Sequence, residues 1–563
     1  MKIRNFLHDH SKQLVTLVVY LILTLIFALF YFRYDRKLYA GDDLLFHYSR
    51  LEEILQTKIT KFPVVATHYF GMTGNQVNVF YPVQLLYPLV ILIKLFSHPV
   101  GMIYFYFGCF NFFTLVVIHY AVSRLGKSWR MCVSFAVLYT FSFYRLFNFF
   151  KRADWGEFFA MTFLPLVFIG LTLIGRQRGG RTLLTIGMVG LLFSHVLTAV
   201  ITGIISFCWV VCALIHSRKR WSIIRSLEQS ALAILGIGFI FWFPFMTHYL
   251  KVPSGFRATL AAYSVLHPFK WSRQARGLLQ NSMFSSPTNL DTVATVGSLM
   301  FLLLLLIIIF FIKYRQQINY SNWLILGGTL ISFWLTTPLF PWSWLKNTPI
   351  NIIQFPFRIN IFVCLGIAWC AAQLVEIFPR IKWRNVWLSS MVVFTCLFSY
   401  QAVDQLMQHP RAGLPYLSEK NFDNYRSNMP ATNDYFPKQA LSDINLIPYH
   451  VVVLNGKNLI IHGQPSLNQI TYQVDSDKKK NVIDLPFLCY SDNYQVTNWG
   501  QPVAYRFSKR GTFEIQTHQK MNQIQIQYQP TFSDRYSGLV SFISLISFIC
   551  ILLINRYFHR YLI

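Results

Sequence analysis

Residues 41 to 50 (GDDLLFHYSR) place four ionisable side chains directly after the first long apolar segment: Asp42, Asp43, His47 and Arg50. A carboxylate or an imidazole at such a place can remove a proton from a hydroxyl group or bind a metal ion. A helix cap with interfacial salt bridges would also account for these residues. Because an unpaired carboxylate beside hydrocarbon is costly to keep, we expect the cluster to face a lipid-borne substrate.

Residues 152 to 157 (RADWGE) form a second cluster, at the mouth between two apolar segments. Glu157 could bind an acceptor or orient the base, and Arg152 could contact a phosphate. Acids and bases spaced this closely can also simply pair with each other.

Two more positions could contribute to the same site. His195 lies in an apolar hairpin, where a lone imidazole is commonly a packing residue. Residues 354 to 358 (QFPFR) open a later apolar segment, and the planar guanidinium of Arg358, with Gln354 beside it, suits a lipid phosphate. The alternative for Arg358 is an interfacial anchor whose long side chain reaches water.

The composition is that of a polytopic membrane protein, with 54% hydrophobic residues, 13% charged residues and apolar runs of about twenty residues. The net charge of +28 could indicate a nucleic-acid partner, but the basic residues cluster in short loops, as the positive-inside rule describes. The sequence contains no Walker A loop, dinucleotide fingerprint or clustered Cys/His metal set, so nucleotide-driven chemistry is disfavoured.

Taking the basic loops as cytoplasmic predicts about twelve spans, with both termini inside and the first span a retained anchor. The spans are 13–32, 101–122, 131–149, 158–175, 182–193, 196–216, 228–249, 292–313, 322–340, 357–378, 386–403 and 536–555.

Two segments do not fit this scheme simply. Residues 79 to 97 are apolar, but both ends must lie outside, and Pro82 and Pro88 interrupt the helix, which favours a re-entrant or interfacial element. Residues 182 to 216 must turn near His195 to return to the same side, which places that imidazole at the outer surface.

In the first outer loop, residues 33 to 78, we expect Asp42 to cap a helix that lies along the bilayer surface. Asp43, His47 and Arg50 would share its polar face, opposite an apolar face formed by Leu44, Leu45, Tyr48, Leu51 and Ile54.

Residues 404 to 534 are polar, turn-rich and alternating, which predicts an extracytoplasmic β-domain tethered by spans at both ends. The strongest signal is a hairpin that turns at Asn455-Gly456. Further strands are expected at 471–475, 482–488, 503–507, 512–517 and 523–528. The chain thus divides into a membrane core (1–403), a β-domain (404–534) and a final span with a basic tail (535–563).

These motifs together resemble the YfhO-like family of bacterial membrane proteins, within the GT-C superfamily of polyprenyl-phosphate-sugar-dependent glycosyltransferases. The resemblance rests on the order and spacing of 41–50, 80–82 (FYP), 152–157, 163–166 (FLPL), 194–195, 354–358, 434–437 (DYFP), 485–486 and 528–530.

The resemblance implies a GT-C-like membrane core with its active site on the outer side. It assigns the catalytic acidic position to Asp43, whereas Asp42 stands where a different residue is expected, so either could carry the proton. His47, Arg50, Arg152, Glu157, His195, Gln354 and Arg358 are the candidates for binding substrate and lipid phosphate. A divalent cation, Mg²⁺ or Mn²⁺, would have Asp42 and Asp43 as its candidate ligands.

The implied reaction is inverting transfer of a sugar from undecaprenyl phosphate to a cell-envelope polymer such as a teichoic acid, in the bacterial cell membrane. The β-domain would hold that polymer, and no nucleic acid would be involved. The alternatives are a transporter or flippase for a lipid-linked saccharide, and a non-catalytic envelope assembly protein.

Overall fold

The computed structural model describes residues 2–252, 268–286, 289–345, 348–408, 416–425 and 434–561. The chain is mostly helical, at 61%, with a separate β-sheet region toward its C-terminus. Both parts agree with the predicted class of a polytopic helical protein that carries a β-rich region.

Within these ranges, eight helices are long and apolar enough to cross a membrane. They are Lys12–Arg33, Pro99–Ser123, Trp129–Phe150, Trp155–Gly175, Val196–His216, Pro356–Ile377, Ile381–Met407 and Phe532–Asn555. A ninth crossing is formed if the consecutive helices Arg220–Ile237 and Phe239–Lys251, which meet at 70°, make one broken span. The expected number of twelve is therefore not confirmed.

The other three predicted spans are shorter helices: Arg181–Leu192, Gly297–Lys313 and Tyr320–Leu335. At 1.5 Å per residue, the 12 residues of Arg181–Leu192 cover about 18 Å, well below the roughly 30 Å of a hydrocarbon core. Residues 79 to 97 also contain no full crossing, because Val77–Phe80 and Tyr87–Leu95 are separated at Pro82.

The helix ends form two groups. At one end the basic loops lie together, with Lys127 Nζ 3.0 Å from Glu376 and Arg130 Nε 2.7 Å from Asn385. At the other end, Glu419 accepts hydrogen bonds from the backbone of Val100 and Gly101 at the start of Pro99–Ser123. The β-sheet region belongs to this second end.

The helix Leu44–Leu55 is not an exposed interfacial helix, because both its apolar residues and His47, Arg50, Glu52 and Glu53 are buried. The predicted cap at Asp42 is also wrong. Asp43 occupies the N-cap position, and its side chain makes no capping hydrogen bond. Amphipathic spacing indicated one buried face, but the other face is covered as well: Trp155 packs on His47, Tyr81 packs on Arg50, and the segment that follows the helix covers Glu53.

That covering segment, residues 62 to 76, joins the helix to the β-sheet region. Glu53 accepts hydrogen bonds from the backbone N–H groups of Thr67 (3.0 Å), His68 (3.1 Å) and Tyr69 (2.8 Å). The Thr67 hydroxyl in turn donates to the Ser466 carbonyl at 2.7 Å. Burying Glu53 therefore fixes the segment between the membrane helices and the sheets.

The β-sheet region is a sandwich of two five-stranded antiparallel sheets with one shared core. The first sheet runs in the order Gln501–Pro502, Tyr494–Asn498, Met521–Tyr528, Gln469–Asp475, Gln464–Ser466. The second runs Tyr505–Phe507, Thr512–Thr517, Asn481–Leu488, Val451–Leu454, Lys457–Ile460. A further pair, Lys37–Tyr39 with Tyr416–Ser418, ties the first loop to the start of this region.

The predicted hairpin is confirmed, since Val451–Leu454 pairs with Lys457–Ile460 across Asn455 and Gly456. Both turn residues have positive φ, 52° and 84°, which is the conformation that favours Asn-Gly in a two-residue turn. All the other predicted strands are present; Thr512–Thr517 has the predicted bounds, and the others have shifted ends. The short strands Gln464–Ser466, Tyr494–Asn498 and Gln501–Pro502 were not predicted.

Candidate active site

A close backbone contact brings the two aspartates of the first loop to the second cluster. Asp42 N–H donates to the Lys151 carbonyl at 3.3 Å, and Asp43 N–H donates to the Arg152 carbonyl at 2.7 Å. A Cβ atom on Gly41 would lie 2.3 Å from the Lys151 carbonyl oxygen, so only glycine permits this approach. The turn at Gly41 thus delivers both carboxylates to the helix ends.

Arg152 lies at the centre of the site and contacts three carboxylates. Its Nε is 3.2 Å from Asp43, its Nη2 is 3.0 Å from Asp154, and its Nη1 is 3.2 Å from Glu157. The arginine side chain is only 5% exposed, and its guanidinium lies 5.2 Å from the centre of the Phe357 ring. The predicted residues of the second cluster therefore do pair with each other, and they also bind Asp43.

Glu157 joins this group to Arg358. Its Oε1 lies 3.1 Å from Arg358 Nε, and its Oε2 accepts hydrogen bonds from the Tyr144 hydroxyl at 2.7 Å and the Asn148 amide at 3.3 Å. Gln354 accepts a hydrogen bond from Arg358 Nη1 and so orients that guanidinium. Sequence positions more than 200 residues apart thus meet in one buried cluster.

Three atoms at the centre of this cluster keep unused hydrogen-bonding capacity. Arg152 Nη1, Arg358 Nε and Glu157 Oε1 are buried, and none has a hydrogen-bond partner in the part of the chain that is described. The two nitrogens lie within ion-pair distance of Glu157 Oε1, but their geometry is not that of a hydrogen bond. Because buried polar groups are normally bonded, these atoms are suited to a polar ligand group.

Asp154 organises the start of Trp155–Gly175. Its carboxylate accepts the Glu157 N–H at 2.9 Å and lies 3.5 Å from the Tyr81 hydroxyl, which donates to it. A Cβ on Gly156 would come within 2.0 Å of that hydroxyl oxygen, so the glycine lets Tyr81 approach.

His195 begins Val196–His216, as the predicted turn requires. The Thr198 N–H donates to His195 Nδ1 at 3.3 Å, so the neutral ring carries its proton on Nε2. Burial lowers the pKa of His195, while Asp154 and Glu157 raise it in part. His195 is therefore a buried neutral imidazole beside the carboxylates.

Metal binding does not fit this site. Asp42 and Asp43, the predicted ligands, have different partners: Lys151 Nζ lies 2.7 Å from Asp42, whereas Asp43 contacts Arg152. Among the described residues, the donor atoms close enough to share an ion belong to Asp154, Glu157 and His195. Both of these carboxylates already contact guanidinium groups, whose positive charges would repel a cation bound between them.

The carboxyl groups differ in their acidity. Burial raises the pKa of Asp43 to about 7; Arg152 and Arg358 oppose this change, and the neighbouring carboxylates Asp154 and Asp42 add to it. Burial acts in the same direction on Asp154, but Arg152 and the other nearby cations outweigh it and hold its pKa below the ordinary value. The two guanidiniums balance Asp154 and Glu157, so Asp43 is the carboxyl in excess. A group with this pKa can accept a proton near neutral pH.

His47 lies beside the site as a neutral ring. It stacks on Trp155, with ring centres 5.3 Å apart, and burial together with Arg50 lowers its pKa to about 3. The ring can therefore shape the site and donate or accept one hydrogen bond, but it cannot supply positive charge to a phosphate at neutral pH.

Arg50 has a structural role that differs from the predicted phosphate binding. Its guanidinium donates to the carbonyls of Tyr81 (3.1 Å) and Pro82 (2.6 Å) and lies 4.3 Å from the centre of the Tyr81 ring. These carbonyls lie at the break between two short helices, so Arg50 holds that break and positions Tyr81.

Sequence reasoning missed several residues that contact the candidate site residues. Asp154 and Lys151 lay in or beside a recognised motif, and Tyr81 lay in another, but none was assigned a role. Tyr144 occurs within an apolar run, and Thr292, whose hydroxyl donates to Asp42, has no local signal at all.

No protein-family model matches this chain, and no curated protein sequence matches it either.

The raised pKa of Asp43 can be measured directly by infrared difference spectroscopy on the purified protein between about pH 5 and pH 9. We expect the band of the protonated carboxyl to disappear with a midpoint near 7 in wild type, and this component to be absent in Asp43→Asn. Glu52, whose pKa burial also raises to about 7, contributes to both proteins and cancels in their difference. Asp42→Asn should keep the component, and a midpoint near 4 would contradict the assignment.

Replacing Arg152 by Met should leave three carboxylates without their shared cation. We expect a loss of roughly 3–5 kcal/mol in the free energy of unfolding, measured by denaturant titration in detergent. Arg273→Met removes an exposed ion pair with Asp291 and should cost less than about 1 kcal/mol. If Arg152→Met does not fold, adding Asp154→Asn should restore folding. Equal losses in the two single variants would refute the central role of Arg152.

Proposed function

We propose that this protein is a membrane glycosyltransferase that moves a sugar from an undecaprenyl-phosphate carrier to a hydroxyl group of a cell-envelope polymer, such as a teichoic acid. One observation carries the proposal: Asp43, a partly exposed carboxyl with a pKa near 7, contacts Arg152 in a cluster that also contains Arg358, and both guanidiniums keep unused donors. A base and an anion site side by side are what this transfer needs.

In the proposed reaction the oxygen of the acceptor hydroxyl attacks the anomeric carbon of the sugar. Asp43 takes the proton of that hydroxyl as the new carbon–oxygen bond forms. The bond between the anomeric carbon and the phosphate oxygen breaks, and its electron pair leaves with the lipid phosphate. Attack opposite the leaving group inverts the anomeric carbon.

Arg358 is the better candidate to stabilise the departing phosphate. Its side chain is 11% exposed, against 5% for Arg152, and it contacts one carboxylate where Arg152 contacts three. Negative charge develops on the phosphate oxygen as the bond breaks, so a fixed guanidinium favours the transition state over the ground state. Arg152 would hold Asp43 and Glu157 in place around it.

The proposed location is the outer face of a bacterial cell membrane. The basic loops near Lys127 and Arg130 lie at one end of the helices, and the positive-inside rule makes that end cytoplasmic. The candidate site and the β-sandwich would then lie outside, where a lipid-linked sugar and an envelope polymer can meet.

Transport of a lipid-linked saccharide is the second candidate, favoured by the 70° bend between Arg220–Ile237 and Phe239–Lys251. Transporters commonly use broken helices to bind substrates near the middle of the bilayer. Here Asp43, Arg152 and Arg358 lie at the ends of helices, which favours a reaction at the membrane surface.

Asp43→Asn and Asp42→Asn form a matched pair for the decisive assay. Purified protein is incubated in detergent with undecaprenyl-phosphate-linked radiolabelled sugars and a cell-envelope extract. We expect Asp43→Asn to lower transfer of label to polymer by about 10² to 10⁴-fold, because the base is lost. Asp42→Asn should retain transfer within about tenfold, since its carboxylate contacts Lys151 and Thr292 instead.

The pH profile gives a second readout of the same assay. Asp43 acts only when ionised, so the wild-type rate should rise as the pH passes upward through about 7. Undiminished transfer by Asp43→Asn would refute the proposed base.

A further inference from the structure

Two rows of side chains on the outward face of the first sheet of the sandwich consist of neutral hydrogen-bonding groups. In one row across four strands, Gln495 lies opposite Gln527, Gln527 opposite Gln469, and Gln469 opposite Ser466. Cross-strand partners point to the same side of a sheet, and neighbouring strands are about 4.8 Å apart. The row is therefore a regular band of amide and hydroxyl groups.

A second row repeats this composition. Thr497 lies opposite Gln525, Gln525 opposite Thr471, and Thr471 opposite Gln464. The two rows together hold five glutamines, two threonines and one serine, and no charged residue. Typical protein surfaces are a quarter to a third charged.

Most of these amides are available to a ligand. Within the described ranges, Gln495 is the one glutamine of the two rows whose side-chain amide has a hydrogen-bond partner, Gln529 at 3.1 Å. Each free amide offers both a donor and an acceptor. The second sheet is different, because it carries charged side chains: Arg506 pairs with Glu514, and Arg510 forms a buried pair with Asp484.

An aromatic side chain lies next to the two rows. Trp499 is 52% exposed, and its backbone N–H donates to the carbonyl of Gln523, which lies on the same sheet. Its indole Nε1–H donates to the Met521 carbonyl at 3.1 Å, which fixes the ring. A fixed exposed ring beside free amides provides a flat apolar contact together with hydrogen bonds.

We propose that this face, formed by the two rows and Trp499, binds an uncharged, hydroxyl-rich polymer, that is, a neutral glycan chain. Hydroxyl groups donate and accept hydrogen bonds as amides do, and the carbon–hydrogen face of a sugar ring packs on an indole. The absence of charge in the two rows matches an uncharged ligand and offers nothing to a polyanion.

The first row also leads toward the candidate active site. The Ser466 carbonyl accepts a hydrogen bond from the Thr67 hydroxyl, and the Thr67 backbone N–H donates to Glu53. Glu53 lies on the helix that begins after Asp43, at a distance of about 15 Å along its axis. Use of the bound glycan as the sugar acceptor rests on the proposed transferase function and would make the acceptor a neutral envelope glycan in place of an anionic teichoic acid, whereas the binding itself does not rest on that function.

Biolayer interferometry of the full-length protein in detergent, on immobilised dextran, mannan, galactan and poly(glycerol phosphate), tests the proposal. We expect binding to at least one neutral glycan. The triple variant Gln469→Ala/Gln525→Ala/Gln527→Ala should bind it at least about tenfold more weakly, because each lost hydrogen bond lowers the affinity. Gln516→Ala, an exposed glutamine on the second sheet, is the matched control and should bind as wild type.

Three results would overturn the proposal. They are no binding to any neutral glycan, equal binding by the triple variant and wild type, and binding to poly(glycerol phosphate) alone that is lost when Lys478, Lys479 and Lys480 become Gln. Asp43→Asn should leave glycan binding unchanged, so failure of the proposed transfer and failure of this site can be told apart. An unchanged unfolding temperature in the triple variant shows that its fold is intact.

Discussion

The guanidinium of Arg152 and the three carboxylates around it are the interaction on which the rest of the site depends. A buried ion costs several kcal/mol unless it is paired, so the chain must bring these partners together from separate segments. Gly41 allows one backbone to approach the other closely enough to place Asp43, and Asp154 caps the helix that carries Glu157. The packing of the helix ends is therefore determined by charge as much as by apolar contact.

The ion pairs in this cluster give its aspartate carboxyl groups different pKa values. Arg152 and Arg358 balance Asp154 and Glu157, and the remaining carboxyl, Asp43, holds a proton near neutral pH. Burial raises the pKa of both aspartates, and the neighbouring charges determine that only Asp43 keeps a raised value. The helix that follows Asp43 is bonded through Glu53 to the segment that also bonds to the β-sandwich, so the proposed base and anion site are connected to the proposed glycan-binding face.

Local patterns in the sequence predicted the long helices and most strands of the sandwich, but not the contacts between these elements. Apolar runs predicted the long helices, and Asn455-Gly456 predicted the hairpin because both residues tolerate positive φ. The burial of His47 could not be predicted, since helical spacing reports the faces of one helix and not what covers them. Tyr81 and Thr292 reach the site through tertiary contacts between distant segments; Tyr81 lay in a recognised motif that did not show its contacts, and no local pattern marks Thr292.

The most direct measurement is a cryo-electron microscopy structure of the protein with undecaprenyl phosphate, the lipid product of the proposed reaction. The account predicts a phosphate oxygen at about 3 Å from the Arg358 guanidinium, with the sugar side of the phosphate facing the Asp43 carboxyl. A phosphate bound among the basic loops near Lys127 and Arg130, with Arg358 still in contact only with Glu157 and Gln354, would contradict it.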